Sequence, residues 1–300
     1  MKAILWAILA AALYAISSPI SKIFLNEIPP TMMAGLLYLG AGIGMSIVGL
    51  FRYKTAKLKK EMQLTKKEMP FTVVIVALDI AASIFLMIGL TMTTSANMSL
   101  LSNFEIVATS LIAFFIFREV ISKKLRIGIG FITVASIILS VENSSSFSFS
   151  FGSTFVLLAC VCWGFENNCT KMLSVKDPLE IVVIKGFGSG LGSLLISFIL
   201  KETSTNTAYI IATLLLGFIS YGLSTYLYIY AQRELGAAKT SAYYAIAPFI
   251  GVGFSFIIFR EIPTISFIIA LLTMIVGTYF VSADNNERII NEKGNNIDVH

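Results

Sequence analysis

The sequence predicts an all-α integral membrane protein of ten transmembrane helices, arranged as two inverted five-helix repeats. Three observations carry this expectation: a composition too apolar for water, ten punctuated apolar runs, and an echo of the first half in the second. Of the 300 residues, 56% are hydrophobic and 13% charged, with a mean hydropathy of +0.84. Soluble chains are about a quarter charged, and single soluble cores stop growing near ~250–300 residues. The apolar mass must therefore face lipid. A cytosolic enzyme, a secreted disulfide scaffold and a disordered chain are excluded.

Runs near the ~20 residues that a bilayer crossing needs fall at 3–21, 31–51, 71–93, 96–117, 125–141, 153–171, 180–200, 208–231, 238–259 and 264–282. The first follows Lys2 and mimics a signal peptide, but nine further spans make a retained helix the expectation. The runs lack the dyad alternation of an outer-membrane barrel. The stretch 144–151 reads as a linker between halves, and 283–300 as a polar, disordered tail.

The net charge of +5 raises the question of nucleic acid, and its distribution answers it. With the N-terminus inside, 18 of the 22 Lys and Arg fall on the cytoplasmic face, seven of them in the loop 52–67. Only Lys22, Lys201 and Arg260 lie outside, and Lys185 is within a span. This is the positive-inside pattern of a plasma-membrane protein with both termini cytoplasmic. The basic loop is a topology anchor beside anionic headgroups, so the bilayer is the partner and nucleic acid is not.

Leu13-Tyr14-Ala15, Lys22 and Pro29 align with Cys162-Trp163-Gly164, Lys171 and Pro178 at one constant offset. Phe117-Arg118-Glu119 aligns with Phe259-Arg260-Glu261 at an offset shorter by seven, a slip absorbed by the long basic loop. Each half carries five spans. Five is odd, so the copies enter the membrane from opposite sides, the usual architecture of secondary transporters.

These residues give the chain a resemblance to ten-helix members of the drug/metabolite transporter superfamily built from two EamA domains. The repeats would be 3–141 and 153–282. Glu105 and Pro248 stand mid-span where the family shows a Glu-Pro or Ala-Pro pair. Ile106 replaces the first proline, so only the ninth span is expected to break. Gly128 and Gly277 also lack counterparts, because Ala270 and Ala135 stand at the matching positions. The resemblance implies that spans one, three, four, six, eight and nine line a central cavity, with five and ten outside. It also implies a solute partner, amino acids being the commonest theme and drugs or sugars the alternative.

Four ionisable residues fall within spans: Asp79, Glu105, Glu166 and Lys185. A charge at the bilayer centre costs ~2.5–3.5 kcal/mol, so such groups must be paired, neutralised or wet. Glu166 and Lys185 each lie ~7.5 Å below the cytoplasmic ends of their spans. Three accounts stay open for them: a structural ion pair, a cytoplasmic gate or solute contact, and a snorkelling Lys185. Asp79 and Glu105 are near mid-depth with no fixed cation evident at their level. Each is either a neutral, hydrogen-bonded acid or a proton-coupling site. Trp163, Glu166, Asn167 and Thr170 share one helical stripe, as do Ser102, Glu105 and Thr109. Trp163 and Tyr221 are expected on the cavity wall and Tyr243, beside Tyr244 before Pro248, at the solute or coupling site, whereas Tyr14 belongs to the interfacial belt.

No catalytic residue, metal or cofactor is expected. The only histidine is His300, and Cys160, Cys162 and Cys169 crowd one apolar stretch. The leading function is transport of a small organic solute. An integral-membrane enzyme acting on lipid-linked groups is the second account, although the short external loops lack the clusters it would need.

Overall fold

The computed structural model describes residues 2–55, 64, 67–118, 121–143, 148–173, 176–235, 240, 243–260 and 262–297. Glu119, Glu261 and most of the basic loop lie outside these. Ten helical spans follow in order. The first is α1 (Lys2–Ala15) with α2 (Ser17–Phe24), the second α3 (Pro30–Thr55) and the third α4 (Met69–Met92). The fourth is α5 (Ser95–Leu101) with α6 (Phe104–Phe115), and the fifth α7 (Lys123–Ser140). Strands β1 (Val141–Asn143) and β2 (Ser148–Phe149) pair antiparallel in the linker. Then come α8 (Phe151–Met172), α9 (Pro178–Ile199), α10 (Thr207–Gly217), a π-helical stretch Phe218–Leu223, α11 (Ser224–Leu235), α12 (Ala247–Phe259) and α13 (Ile265–Ile297). Where the sequence put a disordered tail after 282, α13 runs on to Ile297.

Among the described residues, seven of these spans are long and apolar enough to cross a membrane. Their outward faces carry stripes at helical spacing, such as Leu191, Leu195 and Phe198 on α9. In water those faces would oppose folding; in lipid they cost nothing. The chain is a multi-span membrane protein.

The halves interlock by exchange. The first span packs on the eighth and the third on the sixth, while two, four and five pack on seven, nine and ten. Swapping the halves maps this set of pairs onto itself, as a two-fold axis requires. Partners related by the axis run antiparallel. On α3 and α9, Gly35 meets Leu194, Gly42 meets Phe187 and Gly49 meets Leu179. The fourth span lies parallel to the sixth, since Cys160 reaches Leu101 O and Asn168 reaches Thr109 O. An odd number of crossings per half produces both relations.

Small residues set these approaches. A Cβ on Gly40 would lie 2.1 Å from Leu214 O, and one on Gly217 would lie 2.0 Å from Leu37 O. The unmatched Gly128 and Gly277 face each other where α7 crosses α13, so each repeat supplies one glycine to a single crossing.

Breaks interrupt the central spans. Pro19 lacks the N–H that would bond Ala15 O, and the helix yields at Ile16. Contrary to expectation the fourth span also breaks, at Ser102–Asn103, without a proline. Asn103 N bonds Leu100 O and Glu105 N bonds Ser102 O, tightening the chain to a 3₁₀ turn. Ser102 Oγ and Asn103 Nδ2 return to Met98 O and Leu100 O, which supplies partners that the proline is not needed to free. The corresponding break in the ninth span precedes Pro248, in the first turn of α12. Arg118 and Arg260 share a left-handed φ of 55° and 52°. The repeated Phe-Arg dipeptide is thus a helix stop, with Arg260 N closing on Phe256 O.

Candidate functional site

The polar side chains of the spans gather in two places, an ion triad on the unbroken helices α4, α8 and α9 and Glu105 beside the break in the fourth span. Lys185 on α9 projects between α4 and α8. Its Nζ lies 2.8 Å from Glu166 Oε1 and 3.3 Å from Asp79 Oδ2. The expected Glu166–Lys185 pair is therefore one arm of a triad, and the view that Asp79 has no cation at its level is corrected. Asp79 is fully buried, and Tyr38 Oη donates to its Oδ1 at 3.0 Å. Thr170 Oγ1 donates to Glu166 Oε1 at 2.5 Å, the (i, i+4) contact of the predicted stripe. One lysine thereby joins three spans, with a tyrosine from a fourth.

Glu105 stands apart. It occupies the first turn of α6, where the helix dipole favours a carboxylate. Asn167 Nδ2 donates to its Oε1 at 2.6 Å and lies 3.4 Å from Thr109 Oγ1. Among the described residues no Lys or Arg lies within ion-pair distance of Glu105. Asn168 binds alongside, from Nδ2 to Thr109 O and Gly164 O, fastening α8 to α6.

A chain of tyrosine rings adjoins the triad through Tyr38. Tyr14 lies 5.9 Å from both Tyr221 and Tyr244, Tyr221 lies 5.3 Å from Tyr38, and Tyr244 lies 4.9 Å from Tyr228. The π-helical stretch re-aims the eighth span here, a device common at functional sites. Tyr14 is thus central rather than in the belt. Tyr244, not the predicted Tyr243, joins the cluster, because neighbours on a helix point ~100° apart. Trp163 is buried in the core at 7% exposure.

Beyond Tyr14, hydroxyls knit the first, fourth and ninth spans. Ser18 Oγ contacts Ser95 Oγ at 3.0 Å, Ser99 Oγ donates to Ser18 Oγ at 2.8 Å, and Ser95 and Ser255 are 2.8 Å apart. A cavity lined by Tyr14, Ser18, Ser99, Ser102 and Pro248 holds about 20 Å³, the space of one water. At the linker end, Lys22 Nζ caps α4 through Leu90 O at 2.5 Å and Thr93 O at 2.8 Å.

A family model, the EamA-like transporter family, matches residues 1–141 and 150–283. The chain belongs to that family. It is 26% identical over 290 residues to an uncharacterized transporter of Methanothermobacter thermautotrophicus, covering 91% of this chain and 84% of the relative. It is 23% identical over 244 residues to the uncharacterized transporter YyaM of Bacillus subtilis, covering 78% and 79%. A crystal structure superposes with a TM-score of 0.69 at 15% identity, across 96% of this chain and 98% of the other. That likeness speaks for the fold. Family membership makes the protein a membrane transporter, with the bilayer around it and a solute to carry.

Within this EamA-type frame, sequence reasoning missed Tyr38, Asn168 and the serine cluster, placed Tyr14 in the belt, and chose Tyr243 over its neighbour Tyr244. For Tyr38 and the serines no local signal exists, since a lone hydroxyl on an apolar helix reads the same whichever way it faces. For Tyr14 the signal was present: it aligns with Trp163, a residue already placed on the cavity wall.

Proposed function

We propose that the chain is a secondary transporter of small organic metabolites, amino acids or related compounds, working by alternating access of its two inverted halves. One observation supports this above the rest: an ion triad from three spans and a separately held Glu105 on a fourth lie inside the bundle, where the cavity lined by Tyr14 and Ser102 has room for a single water. A polar site of this kind is costly in a membrane unless it is used, and no metabolite enters it unless the halves move apart. The site residues are Asp79, Glu105, Trp163, Glu166, Asn167, Lys185 and Tyr221, with Tyr244 replacing Tyr243. Proton coupling resides on Asp79 and Glu105, the protein sits in the plasma membrane, and both termini are cytoplasmic.

Flux into proteoliposomes tests the class. Solute moved without chemical change supports transport; a modified product would support the lipid-linked enzyme instead. Drugs and sugars belong in the same assay, as the alternative cargoes. Asp79→Asn and Glu105→Gln are each expected to flatten the pH dependence of uptake. If both variants keep the wild-type pH profile, proton coupling does not pass through these carboxyls.

Sidedness has its own measurement. A Ser146→Cys variant is expected to react with impermeant maleimide added to intact cells, and a tag after His300 to become accessible only after permeabilisation. Labelling of both from one side would end the inverted-repeat mechanism.

A further inference from the structure

We infer that the solute is an organic monocation: an amine with an aromatic or apolar body and no carboxylate, whose ammonium docks on Glu105. This rests on the transporter reading and narrows its cargo to amines related to amino acids.

Charge balance comes first. Three carboxylates and one ammonium occupy the central spans, and Lys185 already bridges Asp79 and Glu166 at 3.3 and 2.8 Å. Its charge is committed to two anions. Among the described residues, Glu105 receives the neutral amide of Asn167 at 2.6 Å and no ion-paired cation. A solute carboxylate brought to this site meets an excess of negative charge and no basic group among the described residues that is not already engaged. An ammonium meets a carboxylate positioned for it by the α6 first turn.

The surroundings of Glu105 agree. Tyr14 lines the same cavity as Ser102, three residues before Glu105, and its ring lies 5.9 Å from that of Tyr244 in the continuous ring cluster. Ring faces beside a carboxylate suit a cation, which they attract through their quadrupoles, and equally suit the apolar body attached to it. One helical turn away, the cavity at Ser102 and Tyr14 offers hydroxyls and aliphatic wall with no further charge.

The repeat explains why the cargo is oriented. At the internal offsets, Glu105 corresponds to Ala247, Glu166 to Ser17 and Asp79 to Tyr221. Duplication therefore left the charge on one wall, formed by α4, α6, α8 and α9. The matching positions of the other half, Ser17 on α2, Tyr221 in the π-helical stretch and Ala247 on α12, are neutral, with the Tyr14 ring beside Tyr221. A molecule with one cationic end and one apolar end fits between them in a single direction.

Isothermal titration of the purified, detergent-solubilised protein tests this with three probes that share a phenyl group: phenethylamine, phenylalanine and 3-phenylpropionate. Phenethylamine is expected to bind at least tenfold more tightly than phenylalanine, with 3-phenylpropionate showing no heat of binding. Glu105→Gln preserves the acceptor for Asn167 and is expected to remove at least tenfold of the amine affinity and the preference over phenylalanine. Tyr14→Leu is expected to weaken the amine several-fold while leaving the thermal midpoint near wild type. Binding of phenylalanine or phenylpropionate as tight as the amine, an amine preference retained in Glu105→Gln, or no binding of any probe would overturn the inference. Glu105-dependent amine binding without flux in proteoliposomes would instead remove the transporter reading and leave the amine site standing.

Discussion

Replacing Gly40 with alanine is expected to leave little folded protein, and Gly217→Ala to do the same. In each case the new methyl would lie within about 2 Å of a backbone carbonyl oxygen on the facing helix, Leu214 O or Leu37 O. Backbone cannot rotate out of the way as a side chain can, so α3 and the eighth span must separate. Overpacking costs typically ~1–3 kcal/mol and more where the backbone has to move. The separation would also pull Tyr221 from Tyr38, coupling the packing defect to the site. Gly253 provides the contrast, because nothing lies within 4 Å of a Cβ there. Gly253→Ala is expected to express and unfold like wild type. Fluorescence-detected size exclusion with a thermal ramp distinguishes the two outcomes; near-wild-type midpoints for Gly40→Ala would show that the crossing is looser than its geometry.

The second large effect is expected at Lys185. Lys185→Met leaves Asp79, fully buried, and Glu166, 4% exposed in its side chain, without their cation. Breaking a buried pair from one side costs ~3–5 kcal/mol, because an uncompensated charge stays behind. From sequence alone, Glu166→Gln with Lys185→Met would seem enough to restore balance. The triad changes that expectation: the double variant still strands Asp79 and should remain destabilised. Adding Asp79→Asn should recover most of the loss, since the triple variant places neutral groups of similar shape at all three positions. Chemical or thermal unfolding in detergent reads the series. A double variant already as stable as the triple one would take Asp79 out of the network.

Much of this architecture was legible in the chain. Ten spans and their order follow from runs of apolar residues, because a bilayer demands one length and one polarity of every crossing helix. Inversion follows from counting, since five crossings cannot return a chain to the side it left. The Phe-Arg repeats marked two helix ends. Where sequence reasoning went astray, local chemistry had two solutions. Ile106 implied an unbroken fourth span, yet Ser102 and Asn103 satisfy the backbone at the break as well as a proline would have excused it. Tyr243 and Tyr244 are equivalent by composition and differ only by the rotation of one helical step.

Sequence by itself determined that the protein crosses the membrane ten times, in two opposed halves, with four ionisable residues held in its spans. Those features depend on the length and polarity of segments, which are local. Only the tertiary structure decided which charges share a partner. Lys185 and Glu166 are joined by a short loop, but Asp79 reaches them from a helix more than eighty residues away, and Tyr14 finds Tyr221 only because the first span packs on the eighth. Contacts between distant helices depend on the angle at which each face turns inward. That angle is set by packing at glycines and by breaks in the spans, and it is written in no single segment.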